Sequence, residues 1–156
     1  MSRADIAKQN FLKGYTCAQA VLLAFSDITG ADEETAMKIS LPFGGGMGRM
    51  RLTCGAVSGM VMALGLILSR AEVDSSNKRD VYAAVQELSG KFKTENGSVV
   101  CGELLSGSHL KASTEAVPEE RTVEYYKKRP CPELVYSAAK ILEEYLEAQK
   151  DIRPEK

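Results

Sequence analysis

The amino-acid sequence predicts an all-α protein, a single-domain bundle of six or seven helices over residues 1–156. Three observations carry that expectation. Apolar residues recur three and four positions apart in nearly every segment long enough to show a period. No stretch of four or more residues alternates apolar and polar with β-branched enrichment, so no strand is expected. Ser, Thr or Asp opens most of the periodic segments, and Gly or Pro closes them. A composition of 44% hydrophobic and 26% charged residues is that of an ordinary globular chain. A domain of this length hides roughly 70% of the surface its unfolded chain would expose. With no internal repeat or low-complexity linker, no domain boundary is expected.

The elements follow in chain order. Residues 4–12 place Ala4, Ala7 and Phe11 on one side, and Gly14 ends that helix. Thr16 with Gln19 three residues on forms a capping-box pair. From there Cys17, Ala20, Val21, Ala24, Phe25 and Ile28 recur at helical spacing until Gly30. Asp32 caps a short helix to about Ser40, with Ala36 and Ile39 facing inward, and Pro42 stops it. A glycine-rich loop, FGGGMGRMR, spans 43–51, and Thr53 caps a long uncharged helix beyond it. In that helix Gly55 and Gly59 stand four apart beside Ala56 and Ala63, small residues that admit another backbone closely. Residues 77–94 are expected to form a surface helix striped by Val81, Ala84, Val85, Leu88 and Phe92, broken at Asn96–Gly97. Ser98 caps a short helix from Val99 to Leu105, ended by Gly107. Residues 106–120 read as a polar, mobile loop. The last helix starts near Pro132 and runs to about Gln149 on a stripe of Leu134, Val135, Ala138, Ile141, Leu142, Tyr145 and Leu146, with a frayed tail at 151–156.

Composition excludes several functions. A net charge of −1 argues against a nucleic-acid binder that works by bulk positive charge, and 6% aromatics without Trp supply no base-stacking platform. His109 is the single histidine, so a multi-His metal site within one chain is excluded, and its polar Gly-Ser-His setting reads as a solvated side chain. The uncharged run Leu52–Ser69 reaches the minimum length of a membrane span, but its Gly, Ser, Thr and Cys content makes it weakly apolar. It reads as a buried central helix, so no membrane association is expected. The start, MSRADIAKQNFLKG, has no apolar leader-like core, and a cytoplasmic protein is expected. Tyr125, Tyr126, Tyr136 and Tyr145 read as helix packing, Met47, Met50, Met60 and Met62 as core or loop filler, and Glu143, Glu144 and Glu147 as a solvated face. The many apolar helix faces suggest a homodimer.

The cysteines carry the chemistry. Cys17, Cys54, Cys101 and Cys131 lie 37, 47 and 30 positions apart, and none forms a CxxC pair. What they share is place. Cys17 follows the cap Thr16, Cys54 follows Thr53, Cys101 lies in the first turn after Ser98, and Cys131 sits between Pro130 and Pro132 at the start of the last helix. A first helical turn presents unpaired N–H groups and the positive end of the helix dipole, which favours thiolate over thiol. Arg49 and Arg51 precede Cys54, and Lys127, Lys128 and Arg129 precede Cys131, adding positive charge.

Four blocks together, FLKGYTCAQAVLLAF, FGGGMGRMRLTCGAVSGMVMALGL, SVVCGELL and RPCPELVYSAAKILEEYL, resemble the C_GCAxxG_C_C family of redox-active proteins. The resemblance covers about residues 11–146, with the four cysteines in the family's order. The CGAxxG core is intact from Cys54 to Gly59, while Thr53 stands where the family name has Gly. The resemblance implies a small helical protein with a thiol-based or metal-based site.

The glycine loop, with Gly45, Gly46, Gly48 and Arg49 as candidate binding residues, fails the tests for a phosphate loop: no GxxxxGK[ST], no GxGxxG and no preceding strand. It could still hold an anion at a helix start, with Arg49 and Arg51 helping. The favoured reading is that glycine lets the loop pass close to other helices and expose Cys54; a lid or docking surface for a partner is an added alternative.

Three functions remain open from the sequence. In the leading one, a thiol–disulfide or electron-transfer protein needing no cofactor, Cys54 attacks, Cys17 resolves, and Cys101 with Cys131 forms a second pair. Its partner would be a redox protein or a small disulfide or oxidant. In the second, all four cysteines converge on zinc or an iron–sulfur cluster as a metal-binding module. In the third the thiols are structural and the protein is a non-catalytic electron-transfer or scaffold partner. A geometric expectation separates site from coincidence. The helix starts near Thr16, Thr53, Ser98 and Pro130 meet in one region, at least two cysteines including Cys54 come within disulfide range, and the Phe43–Arg51 loop borders them.

Overall fold

The computed structural model describes residues 1–152, and all their regular structure is helical apart from one isolated bridge. Nine α-helices are present among the described residues, more than the six or seven expected. The excess has two sources: one expected helix is split, and one short helix was not anticipated.

Helix α1 (Arg3–Leu12) is held at its start by a reciprocal capping box between Ser2 and Asp5, and buries Ala4, Ala7 and Phe11 as expected. Helix α2 (Cys17–Leu23) starts on the Thr16–Gln19 capping box. It does not run on to Gly30. The carbonyl of Ala20, which a continuing helix would use, accepts instead from Asn10 Nδ2 at 3.2 Å. The carbonyl of Ala24 accepts from Arg3 at 3.0 Å, and the Ala24 and Phe25 N–H groups fall back to three-residue bonds. The chain turns at Phe25 and restarts as α3 (Ser26–Thr29), which leaves Ile28 42% exposed rather than in the stripe.

Asp32 caps α4 (Glu33–Ser40) through the Thr35 N–H. Ala36 is buried there with Ser40, whose hydroxyl bonds the Ala36 carbonyl at 2.6 Å, while Ile39 is 59% exposed. The helix is therefore rolled away from the expected Ala36–Ile39 face. A 3₁₀ turn (Leu41–Phe43) carries Pro42 into the glycine loop.

Helix α5 (Gly55–Leu68) is the uncharged central helix, with Cys54 rather than Thr53 at its N-cap. No helix among the described residues is long and apolar enough to cross a membrane. Its glycines explain its place: a Cβ on Gly59 would stand 2.5 Å from the Ala18 carbonyl, and one on Gly55 would stand 3.0 Å from the Cys17 Cβ. The small face of α5 thus lies directly against the first turn of α2. Helix α6 (Ser75–Asn96) starts on Asp74 and ends at left-handed Gly97, burying Ala84, Leu88 and Phe92. Helix α7 (Cys101–Gly107) starts two residues later than expected, with Val100 at its N-cap and Ser98 Oγ accepting from the Val100 N–H. The unanticipated helix is α8 (Val123–Lys128), capped by Thr122; it buries no residue and so shows no stripe. Helix α9 (Cys131–Ile152) carries the expected stripe, with Leu134, Val135, Ala138, Ile141 and Leu142 buried. It continues beyond Gln149, and the rest of the anticipated tail, 153–156, lies outside the described residues.

The core gathers where α1, α2, α5, α6 and α9 pack together, around Phe11, Phe25, Met60, Leu64, Leu88, Phe92 and Leu142, each fully buried. Burying a side chain of this class stabilises by roughly 1.5–3 kcal/mol. This packing fixes the starts of α2, α5 and α9 relative to one another, and those starts carry three of the four cysteines.

Candidate functional site: a thiol cavity at four helix starts

All four cysteines occupy the start of a helix. Cys54 is an N-cap, and Cys17, Cys101 and Cys131 are first residues of α2, α7 and α9. They also share one cavity of about 410 Å³, so the expected convergence is present. Two devices complete it. The close contact of α5 on α2 brings Cys54 beside Cys17. An antiparallel bridge between Thr53 and Val100 joins the approaches to α5 and α7, with the Cys54 N–H donating to Val99 at 2.8 Å and the Cys101 N–H to Leu52 at 2.6 Å.

The glycine loop forms the cavity rim, and Gly44, Gly45, Gly46, Gly48, Arg49 and Arg51 all line it. Its backbone is left-handed at Gly45, Gly46, Met47, Gly48 and Arg49 in succession, with φ between 59° and 71°, and again at Arg51 with φ 61°. Outside glycine each such residue costs roughly 1–2 kcal/mol. The turn is held by hydrogen bonds from Arg51 to Gly45 and from Leu52 to Gly46, each spanning six residues. Gly46 cannot be replaced without movement, because a Cβ there would stand 2.6 Å from the Cys101 Cβ. The loop therefore sits on Cys101, as the close-approach reading required, and its rim position does not expose Cys54, which is 4% accessible.

Charge in the cavity is one-sided. Arg49, Arg51, Arg121 and Arg129 line it, and Glu119 is the single acidic residue that does. Glu119 pairs with Arg49 at 3.6 Å and more closely with Arg129, and the Arg129 hydrogen bond holds its carboxyl below the usual range. Arg121 lies over the rings of Phe11 and Tyr125, at 4.2 and 5.7 Å, and donates to the Phe11 carbonyl. Arg129 lies 5.0 Å from the Tyr125 ring centre. Burial pushes the Tyr125 phenol up to about 12. The polar segment 108–122 closes one side, contributing Ala116, Pro118, Glu119 and Arg121. It is pinned by the rim: Arg51 Nε donates to the Ser113 carbonyl at 2.8 Å, and Arg49 donates to the carbonyls of Glu115 and Val117. His109 is exposed and is not among the lining residues.

The four thiols titrate in different directions. Cys17 and Cys131 line the same cavity and are each the strongest influence on the other's ionisation, and both sulfurs lie deep although their residues are half-buried. The pair shares its protons. Donation from Cys17 lowers the Cys131 thiol below its ordinary value, helped by Arg129, Arg121 and Arg51. The same bond, with burial, raises Cys17 well above that value. Burial pushes Cys54 up to about 12, against an opposing pull from the Ala56 and Val57 N–H groups. Cys101 is also raised by burial, with the Arg51 guanidinium 3.7 Å from its sulfur pulling the other way. The direction at Cys54 is opposite to the activation expected from its sequence setting. The two thiols that most strongly influence each other's ionisation are Cys17 and Cys131, whereas the expected attacking and resolving pair was Cys54 and Cys17.

Among the described residues no group of three or more His, Cys, Asp or Glu side chains is arranged to hold a metal ion. Arg121, Glu119 and Tyr125 complete the site and were not singled out as site residues by the sequence. They lie in a polar loop and a stripe-free helix, where nothing local announces a cavity wall.

Fold and site together define a small all-α protein whose helix starts collect four thiols in an arginine-lined cavity. The chain belongs to the C_GCAxxG_C_C family, described as "Putative redox-active protein (C_GCAxxG_C_C)", whose pattern matches residues 15–145. No curated protein and no solved structure matches it.

Proposed function

We propose that the protein is a two-cysteine thiol–disulfide redox protein in which Cys131 attacks and Cys17 resolves. The observation that carries this is the placement of Cys17 and Cys131 in one arginine-lined cavity, where Arg129, Arg121 and Arg51 draw the Cys131 thiol below its ordinary value while Cys17 is raised above it. The thiolate is the nucleophile in such exchange. Cys131 sulfur attacks one sulfur of a substrate disulfide, the S–S bond breaks, and the departing half leaves as a thiolate. Cys17, in the same cavity, then attacks the Cys131 sulfur. It gives up its proton, closes a Cys17–Cys131 disulfide and releases the second half. The substrate gains two electrons, with one proton from Cys17 and the other from solvent, and the protein is oxidised by two electrons. A dithiol reductant resets it, which suits a compartment where thiols are kept reduced, such as the cytoplasm. Cys54 and Cys101, both held protonated, form the cavity wall.

The shared cavity also supports a second reading, a four-cysteine metal or iron–sulfur centre. It would require the sulfurs to move into a common coordination sphere, at about 2.3 Å from the metal for zinc. Elemental analysis and an absorption spectrum of anaerobically purified protein decide that question. The thiol reading is tested by oxidising the reduced protein with 2-hydroxyethyl disulfide and mapping disulfides without reduction. A Cys17–Cys131 link is expected, and in a Cys17→Ser variant the mixed disulfide is expected to remain on Cys131. A dominant Cys17–Cys54 or Cys101–Cys131 link contradicts the assignment.

A further inference from the structure

The cavity also specifies the charge of what enters it. We infer that the substrate is a small disulfide bearing carboxylate groups, recognised by the arginine wall; this rests on the thiol reading above. Three observations lead there. First, the reactive sulfurs open onto a cavity of about 410 Å³, the size of a small-molecule site. Segment 108–122 closes one side of it and is tied to the rim by Arg49 and Arg51, so a folded protein's disulfide has little room to reach Cys131. Second, four guanidinium groups line the cavity against one carboxylate, Glu119, and a single Cys131 thiolate leaves the wall still positive. The whole chain carries a net charge of −1, so this excess is local and not a reflection of a basic protein. Third, the positive groups are held in place: Arg129 is 9% accessible, and Arg121 is fixed by the Phe11 carbonyl and two aromatic rings.

A pocket lined by one sign of charge with low-dielectric walls concentrates counter-ions. Guanidinium forks match carboxylates in shape as well as charge. A carboxylate on the substrate would lie along the arginine wall while its disulfide faces Cys131. The electron balance is that given above: one disulfide bond of the substrate is exchanged for the Cys17–Cys131 bond, two thiols leave, and a dithiol reductant resets the protein.

The test uses two alkylating agents of nearly equal size, anionic iodoacetate and neutral iodoacetamide. Their rates at Cys131 are read by peptide mass mapping of the intact chain, and their rate ratio is divided by the ratio for free 2-mercaptoethanol. The ratio cancels the reactivity of the thiolate and isolates charge recognition. On the order of a tenfold preference for iodoacetate over the free-thiol ratio is expected, falling with added salt. The preference is expected to shrink in Arg121→Gln and Arg51→Gln variants that keep the native circular dichroism spectrum. Rates with dithiodiglycolate, 2-hydroxyethyl disulfide and cystamine, each normalised to 2-mercaptoethanol, are expected to fall in that order. A ratio equal to that of the free thiol, or cystamine reacting fastest, overturns the inference. If iodoacetamide itself fails to label Cys131 ahead of the other cysteines, the thiol assignment has failed instead, so the two failures are distinct.

Discussion

Cys54 and Cys131 both stand at helix starts with arginines close by in the sequence, yet their thiols are shifted in opposite directions. Sequence adjacency of Arg49 and Arg51 to Cys54 does not become spatial adjacency. The left-handed turn sends Arg49 to the 108–122 segment, and Arg51 to that segment and the Cys101 sulfur. Cys54 is left 4% accessible, and its burial outweighs the N–H groups of its own helix start. At Cys131 the reverse holds, because a thiol donor and three guanidinium groups outweigh burial. The raised thiols set an alkaline limit to stability. Cys54 keeps its proton in the folded state up to about 12, against an ordinary value of 9.0. Between those values the folded state binds more protons than the unfolded one, so stability is intact below about pH 9 and falls as pH rises towards 12. Cys17 and Tyr125 are shifted the same way. A three-unit shift corresponds to about 4 kcal/mol for a single site. Urea midpoints measured from pH 8 to pH 11 should therefore decline, and a Cys54→Ala variant should decline less steeply. A midpoint flat across that range contradicts the burial of these groups.

Helix spacing made much of the architecture legible, and what escaped it was tertiary. The Thr16–Gln19 box, the Asp32 cap and the stripe of α9 follow from local chemistry and are present. The break after Leu23 is not local: Asn10 and Arg3, from another helix, take the carbonyls. Helix α8 has no buried residue, so periodicity could not reveal it. The site was legible in part, since four cysteines at helix starts point to convergence, but which pair touches depends on how α9 docks beside α2. The CGAxxG spacing is legible in physical terms as well. Gly55 and Gly59 are one helical turn apart and both face α2, so a residue at either with a side chain would push α2, and Cys17 with it, away from α5. Gly59→Ala would place a Cβ 2.5 Å from the backbone oxygen of Ala18, which has no flexible end to give way. Such overpacking costs typically 1–3 kcal/mol. A thermal melt of Gly59→Ala should show that loss, whereas Gly65→Ala, with nothing within 4 Å of its Cβ, should equal or exceed the parent. Equal melting of all three proteins would mean that α2 and α5 are not in this close contact.

At the scale of the molecule, the core serves to hold helix starts together. Positive dipole ends repel when they cluster, and four guanidinium groups add to the repulsion around the same cavity. The arrangement is offset by the Glu119 carboxylate, and a thiolate at Cys131, whose thiol is drawn below its ordinary value, would offset it further. Ionised, Cys131 would be part of the structure's charge balance as well as its chemistry. Its ionisation is the claim on which the function rests. The direct measurement is the rate of iodoacetamide modification of each cysteine in the reduced, intact protein as pH is raised, read peptide by peptide. Cys131 is expected to be modified first, with a midpoint below the ordinary thiol value of 9.0, while Cys17, Cys54 and Cys101 respond only above it. A midpoint for Cys131 at or above the ordinary value, or Cys54 modified ahead of it, would contradict the account.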